Sequence, residues 1–221
     1  MALAASAGRF CVERKLTMKI ALVVLASAFA LLLVGSSGCS KKTDVDPEVA
    51  VLETSYGKIV IEFLSGVAPK AVQNFKDLAR DNFYDGTKFH RIVKDKNKIV
   101  AIQGGDPNSI NGDPQTWGTG QPNQKTVPAE ISSLKHERGT VSAARKPNDL
   151  NSATSQFYIC IAPQPSLDGQ YTIFGRVIEG MNVVDSIAFA PTVPKNERPI
   201  DPVVVNRAYI MKKDEIKAEA K

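Results

Sequence analysis

The chain has 221 residues, with 28 Lys and Arg against 23 Asp and Glu, for a formal charge of +5. With 43% hydrophobic residues, 13 Pro, 15 Gly and 3 Cys, it is long enough for one good core and too short for two large domains. This balance excludes a disordered chain, a collagen, a coiled coil and a disulfide-stapled scaffold.

In chain order, the first feature is Ile20–Val34, an apolar run of 15 residues broken only by Ser27. Met18-Lys19 stands before it and Gly35-Ser36-Ser37-Gly38-Cys39 after it. A spanning helix wants about 20 apolar residues and a signal h-region about 7–15, so the run predicts a secretory signal over residues 1–38, with Met18 the better start. A Cys directly behind such small residues resembles a bacterial lipoprotein signal. That resemblance implies a diacylglyceryl group on Cys39, cleavage before it, and an exported protein held by its lipid on the periplasmic side of a bacterial membrane. Ser36 departs from the Leu-like residue usual at that place. Ordinary cleavage near Gly38 and an uncut anchor are the alternatives. Residues 39–48 read as a polar tether. The leader carries four basic residues and one acidic, so a net of +2 remains beyond it. The body has no block of five like charges, and no nucleic-acid partner is expected.

From Val49 onward the chain reads as short strands separated by turn signals. Val49–Glu53 and Lys58–Phe63 form a hairpin across Thr54-Ser55-Tyr56-Gly57. Pro69 can open a helix, and Val72, Phe75, Leu78 and Ala79 give it one apolar face. Strands follow at Thr87–Val93 and Ile99–Gln103. Residues 107–126, rich in Gly, Pro, Asn and Gln, read as a long ordered loop. Strands at Thr140–Ala144, Gln156–Ile161, Thr172–Val177 and Val203–Met211 complete the set. Gly180–Ile187 is a second short helix, and residues 214–221 are a charged tail. The fold class is mainly all-β, a closed barrel or a sandwich, in a domain spanning residues 49–213.

Five sequence words then narrow the reading: Phe89-His90-Arg91, Ile102-Gln103-Gly104-Gly105-Asp106, Glu137 to Ala144, Thr154 to Ile159, and Leu167-Asp168-Gly169 before Phe174-Gly175-Arg176-Val177. In this order they resemble the cyclophilin family of peptidyl-prolyl isomerases, from about Val49 to Met211. The resemblance implies a closed eight-stranded antiparallel β-barrel capped by two α-helices. It implies an enzyme that accelerates rotation about Xaa-Pro bonds in exported or unfolded polypeptides, without cofactor or metal. Arg91 matches the family's catalytic Arg. Gln103 and Gln156 match its two site glutamines, which bind substrate backbone and position the Arg. Ala144 and Arg145 match the groove edge, where main chain pairs with an extended peptide. Leu167 matches a pocket Leu, Tyr158 stands where a pocket Phe is usual, and Tyr171 replaces a His. Ser166 replaces a Trp that contributes to cyclosporin binding, which implies weak inhibition by cyclosporin.

The residues also depart from the family. The stretch from Arg91 to Gln103 is longer than usual, with Lys94 to Lys98 as an inserted turn. Counting back from Gln103, the family's pocket Phe becomes Val100 and its pocket Met becomes Ala101, and the insertion could supply Ile99 or another side chain in their place. These losses motivate an alternative reading, a proline-peptide-binding or chaperone module with little catalysis. The strand period of two puts Gln156 and Tyr158 on one face and Phe157 and Ile159 on the other. It also turns His90 away from the Arg91 face, as a structural, hydrogen-bonded His. With His90 and His136 the only two His, no hydrolase motif and no zinc spacing exist. Gly118-Thr119-Gly120 lacks the context of a phosphate loop. Trp117 is expected to anchor its loop, Cys160 to be an inert core thiol, and the protein to be a monomer.

Overall fold

The computed structural model describes residues 46–96, 98–194 and 196–219. The leader, Cys39 and the tether up to residue 45 lie outside the described residues. The first hairpin pairs β1 (Glu48–Thr54) with β2 (Gly57–Phe63). Thr54 Oγ1 secures its turn, donating to Gly57 O at 2.7 Å and accepting from Tyr56 N at 3.1 Å. Helix α1 (Pro69–Arg80) begins on Pro69. The carboxylate of Glu130 accepts the free N–H groups of Lys70 and Ala71 at 3.1 and 2.9 Å, satisfying the helix start from outside the helix. There follow β3 (Lys88–Phe89), β4 (Arg91–Asp95), β5 (Lys98–Gly104), α2 (Asn108–Asn111), β6 (Thr140–Ala143) and β7 (Phe157–Cys160). A 3-10 turn at Pro165–Leu167, β8 (Ile173–Glu179), α3 (Met181–Ala188), β9 (Val203–Lys212) and α4 (Lys213–Glu219) complete the order.

The strands run β3-β9-β1-β2-β8-β6-β7-β5-β4, every neighbour antiparallel. The two ends of this ladder, β3 and β4, are consecutive in the chain with only His90 between them. The expected single strand Thr87–Val93 therefore divides: Lys88 and Phe89 pair with β9, and Arg91 onward pairs with β5. Counted as one bent strand, β3 and β4 make this an eight-stranded barrel that closes through His90.

The interior is filled by alternate residues of the strands and by one face of each capping helix. Phe75 of α1 is the centre of its aromatic cluster, with ring centroids 4.8 Å from Tyr84, 5.4 Å from Phe157, 5.5 Å from Phe174 and 5.8 Å from Phe63. Val183, Val184, Ile187 and Ala188 of α3 join the same core. Such aromatic contacts add to the hydrophobic gain of burial.

Three expectations change at the ends and loops. The end of the expected 39–48 tether belongs to the domain, since both oxygens of Asp46 lie 2.7 Å from Lys76 Nζ, which also meets Glu48 at 2.9 Å. The charged tail is largely helix α4. Its Ile216 is buried with Val49, Val51 and Val60 on the outer face of the barrel, and Lys213 pairs with the buried Glu62. The 107–126 loop contains the one-turn α2. The buried carboxylate of Asp106 organises this loop, accepting N–H groups from Asn108 and Gly118. Trp117 anchors it as expected, donating to Gly112 O at 3.0 Å, with Lys88 and Arg198 each placed over its ring at 5.3 and 5.5 Å.

Gly180 joins β8 to α3 in the left-handed region, at φ 87°, and a Cβ there would lie 2.2 Å from Lys58 O. Both the φ and the closeness require glycine. Gly180→Ala should destabilise the domain by about 1–3 kcal/mol, read as a lower urea midpoint at unchanged slope.

Candidate active site

The bend at His90 decides what faces the solvent. Phe89 points into the core, His90 is buried, and Arg91 opens β4 with its side chain 49% exposed. Arg91 is directly opposite Gln103 on β5, and Gln103 is opposite Tyr158 on β7. This register lays Arg91, Gln103 and Tyr158 across three adjacent strands on one face. Phe157 and Ile159 face the core, so the separation of faces expected from the strand period is observed.

Every expected site residue within the described chain lines one groove of about 880 Å³: Arg91, Val100, Ala101, Gln103, Ala144, Arg145, Gln156, Tyr158, Ser166, Leu167 and Tyr171. The groove has a polar side and an apolar side. On the polar side, Gln103 Nε2 donates to Gln156 Oε1 at 3.0 Å, and Gln156 Nε2 donates to Gly118 O at 3.1 Å. On the apolar side, Ala101, Tyr158 and Cys160 pack with Val93, Ala144, Leu167 and Tyr171. Cys160 thus lies beneath the groove rather than in the barrel core. Burial pushes its thiol up to about 12, which leaves it protonated and inert.

Of the side chains that the inserted turn could supply, Ile99 does not reach the groove. Ile99 packs against the barrel core and does not replace the lost pocket side chains. The register shifts between Val93 and Lys94, with Val93 opposite Ala101 and Lys94 opposite Ile99. Val100 is left in the bulge, facing the groove. Val93, missed in the sequence reading, supplies the extra apolar wall, and it shares the strand phase of Arg91. Lys94 and Asp95 extend the rim.

Tyr158 is the floor of the apolar side, 6% exposed, and its hydroxyl is not left unpaired. It lies 3.1 Å from His136 Nε2, and His136 Nδ1 lies 3.1 Å from Asp168 Oδ1. A carboxylate can only accept, so Nδ1 carries the proton and Nε2 accepts from the Tyr158 hydroxyl. Burial holds His136 below the ordinary histidine range despite Asp168, which keeps this tautomer neutral. Tyr171 packs edge-on against Tyr158 at 5.7 Å. The Arg145 guanidinium covers the Tyr171 ring at 4.4 Å and donates to the carbonyls of Lys146, Pro147 and Gln170. Arg145 is therefore a clamp on the groove wall. His90 is buried and points away from the Arg91 face as expected, under Gly118. Contrary to expectation, neither of its ring nitrogens has a hydrogen-bond partner among the described residues.

The partner that holds Arg91 differs from what the resemblance implies. Gln103 bonds to Gln156, and Arg91 Nε donates to Glu197 Oε2 at 2.7 Å. No sequence signal pointed to Glu197, which is 106 residues away in a proline-rich connection.

The family profile of the cyclophilin type peptidyl-prolyl cis-trans isomerases matches residues 49–210. A peptidyl-prolyl cis-trans isomerase of Schizosaccharomyces pombe is 39% identical over 161 residues, covering 72% of this chain and 97% of its own. A probable peptidyl-prolyl cis-trans isomerase of Brucella abortus is 37% identical over 166 residues, covering 73% of this chain and 82% of its own. Among solved structures, a Cryptosporidium parvum cyclophilin type isomerase determined in the presence of an Ala-Pro dipeptide superposes with a TM-score of 0.65. It is 30% identical and covers 75% of this chain and 99% of its own.

The site's acid sensitivity can be tested. Burial lowers both His90 and His136. Between the unfolded value, about 6.5, and the lower folded values, the unfolded chain binds more protons, so stability falls as pH falls. Hydrogen-bonded carboxylates such as Asp46 and Glu62, also held low, extend the loss further into acid. The urea midpoint should therefore drop between about pH 7 and pH 5; a flat profile over that range would contradict the neutral buried imidazoles.

Proposed function

The chain belongs to the cyclophilin-type peptidyl-prolyl cis-trans isomerase family, and from that premise we propose how its groove turns the Xaa-Pro bond and where it acts. Rotation must overcome about 18–20 kcal/mol of amide resonance and takes tens of seconds or longer unaided. No covalent bond breaks, so the task is to bind the twisted amide more tightly than either planar form. In the twisted amide the nitrogen lone pair is no longer conjugated and becomes a better acceptor. Arg91 is the donor that meets it, because a guanidinium presents its N–H groups along a planar, directional edge.

The other groove residues hold the two sides of the bond apart. Tyr158, Leu167, Tyr171, Val93, Val100 and Ala101 take the pyrrolidine ring against the apolar wall. Gln103 and Gln156 bind substrate backbone, and the chain at Ala144 and Arg145 pairs with the extended peptide. The polar and apolar halves of one groove then grip opposite sides of the rotating bond. The observation that carries this reading is the register that sets Arg91, Gln103 and Tyr158 on three neighbouring strands. Arg91→Ala should lower kcat/KM for an Ala-Xaa-Pro peptide by about 100-fold, the cost of one preorganised donor. Equal rates in the two proteins would defeat the mechanism.

We also propose that the clients are polypeptides folding outside the cytoplasm and that Cys39 carries a lipid. The support is the order Met18-Lys19, the apolar run Ile20–Val34 and the small residues before Cys39. Growth with a radiolabelled fatty acid should label the protein in membranes, and Cys39→Ser should abolish the label. An unlabelled parent protein would leave ordinary cleavage or an uncut anchor as the reading.

A further inference from the structure

We propose that Glu197 is a positioning residue for Arg91, an inference that rests on Arg91 being the donor to the twisted amide. The connection from α3 to β9 carries Glu197 to the free edge of β4, the last strand of the ladder. There Glu197 makes three bonds to that one strand. Its carbonyl accepts from Ile92 N at 2.7 Å, its Oε1 from Lys94 N at 3.0 Å, and its Oε2 from Arg91 Nε at 2.7 Å. The first two bonds satisfy unpaired backbone N–H groups of a strand edge. The third reaches the side chain that the site depends on.

The consequence for the guanidinium is directional. Only Nε–H is engaged by protein among the described residues, so the N–H groups on both Nη atoms remain for substrate. A long, half-exposed Arg otherwise samples many rotamers, and its ordering would fall on the catalytic step. Glu197 removes that freedom before substrate arrives. A carboxylate also weakens the positive field at the site, but solvent screens that effect at a half-exposed pair. The restraint on direction is not screened.

Glu197 is itself held in a strained state, which a chance contact would not require. Its φ is 45°, the left-handed region that a β-carbon disfavours. The connection is fixed on both sides of it. Lys94 Nζ donates to Thr192 Oγ1 at 3.2 Å, Val193 N to Arg198 O at 2.8 Å, and Arg198 lies 5.5 Å over the Trp117 ring.

The test measures kcat and KM for isomerisation with the full chain and four variants. Glu197→Gly keeps the backbone carbonyl and favours the left-handed φ, so the connection stays in place without the carboxylate. It should lower kcat about tenfold, leave KM within about twofold and not lower the unfolding temperature. Glu197→Gln keeps an acceptor for Arg91 Nε and should recover at least half of the lost kcat. The double variant Glu197→Gly/Arg91→Ala should be no slower than Arg91→Ala alone, since the two residues act through one group. Unchanged or raised kcat in Glu197→Gly, with Arg91→Ala inactive, would overturn the positioning role and leave the Arg91 mechanism standing. Multiplying losses in the double variant would overturn it as well. Full activity of Arg91→Ala would instead remove the reading on which the proposal rests.

Discussion

The fold and the site share one constraint: the chain segment that ends the strand ladder also begins it. An antiparallel sheet of this length must leave two edges or join them. Here the join is Phe89–His90–Arg91, where pairing passes from β9 to β5 within one residue. The bend forces three successive side chains into three environments. Phe89 completes the core, His90 is trapped beneath Gly118, and Arg91 emerges at the groove. Closing the barrel and presenting Arg91, the proposed donor, are therefore one event. A mechanism that depends on a fixed guanidinium gains by this, because strand ends in a closed barrel have little freedom to move.

Beyond the join, two polar chains fix the groove in place. Gln103, Gln156 and Gly118 link β5, the start of β7 and the 107–126 loop. Asp168, His136 and Tyr158 link the 3-10 turn to the groove floor. In each chain the donors and acceptors alternate without an orphan at the groove surface. A buried tyrosine in place of phenylalanine would ordinarily expose an unpaired hydroxyl to an apolar pocket. His136 absorbs that cost, so the ring is free to act as an apolar surface with a fixed orientation.

Much of this was legible in the sequence, for identifiable reasons. Strand alternation separates Phe157 and Ile159 from Gln156 and Tyr158, and apolar spacing marks the buried face of α1, because both patterns are local. The division of the strand at His90 was not legible, since it follows from which partners lie on either side. The 39–48 tether and the C-terminal tail were read from polarity alone. Asp46 and Lys213 look solvated in sequence, yet each pairs with a buried charge, Lys76 and Glu62, that is distant in the chain. Glu197 escaped for the same reason: nothing local distinguishes it from other charges in a proline-rich connection. Ile99 turns to the core because the bulge at Val100 shifts the phase of β5 by one residue, while Val93 reaches the groove by plain alternation from Arg91.

The changed pocket and the held arginine fit together. Val100 and Ala101 stand where bulkier side chains would grip the proline ring, and Val93 restores only part of that wall. A looser apolar grip does less to fix the ring while the amide turns. Under the proposed mechanism the selectivity for the twisted state then comes from the polar side of the groove. That side has Gln103 bonded to Gln156, the loop carbonyl of Gly118, and Arg91 held by its Nε. A donor already aimed at the lone pair costs no reorganisation when the lone pair appears, whatever play remains in the ring pocket. Under the proposed mechanism the balance of work thus lies with direction rather than enclosure, and a single carboxylate against β4 would bear on catalysis through Arg91.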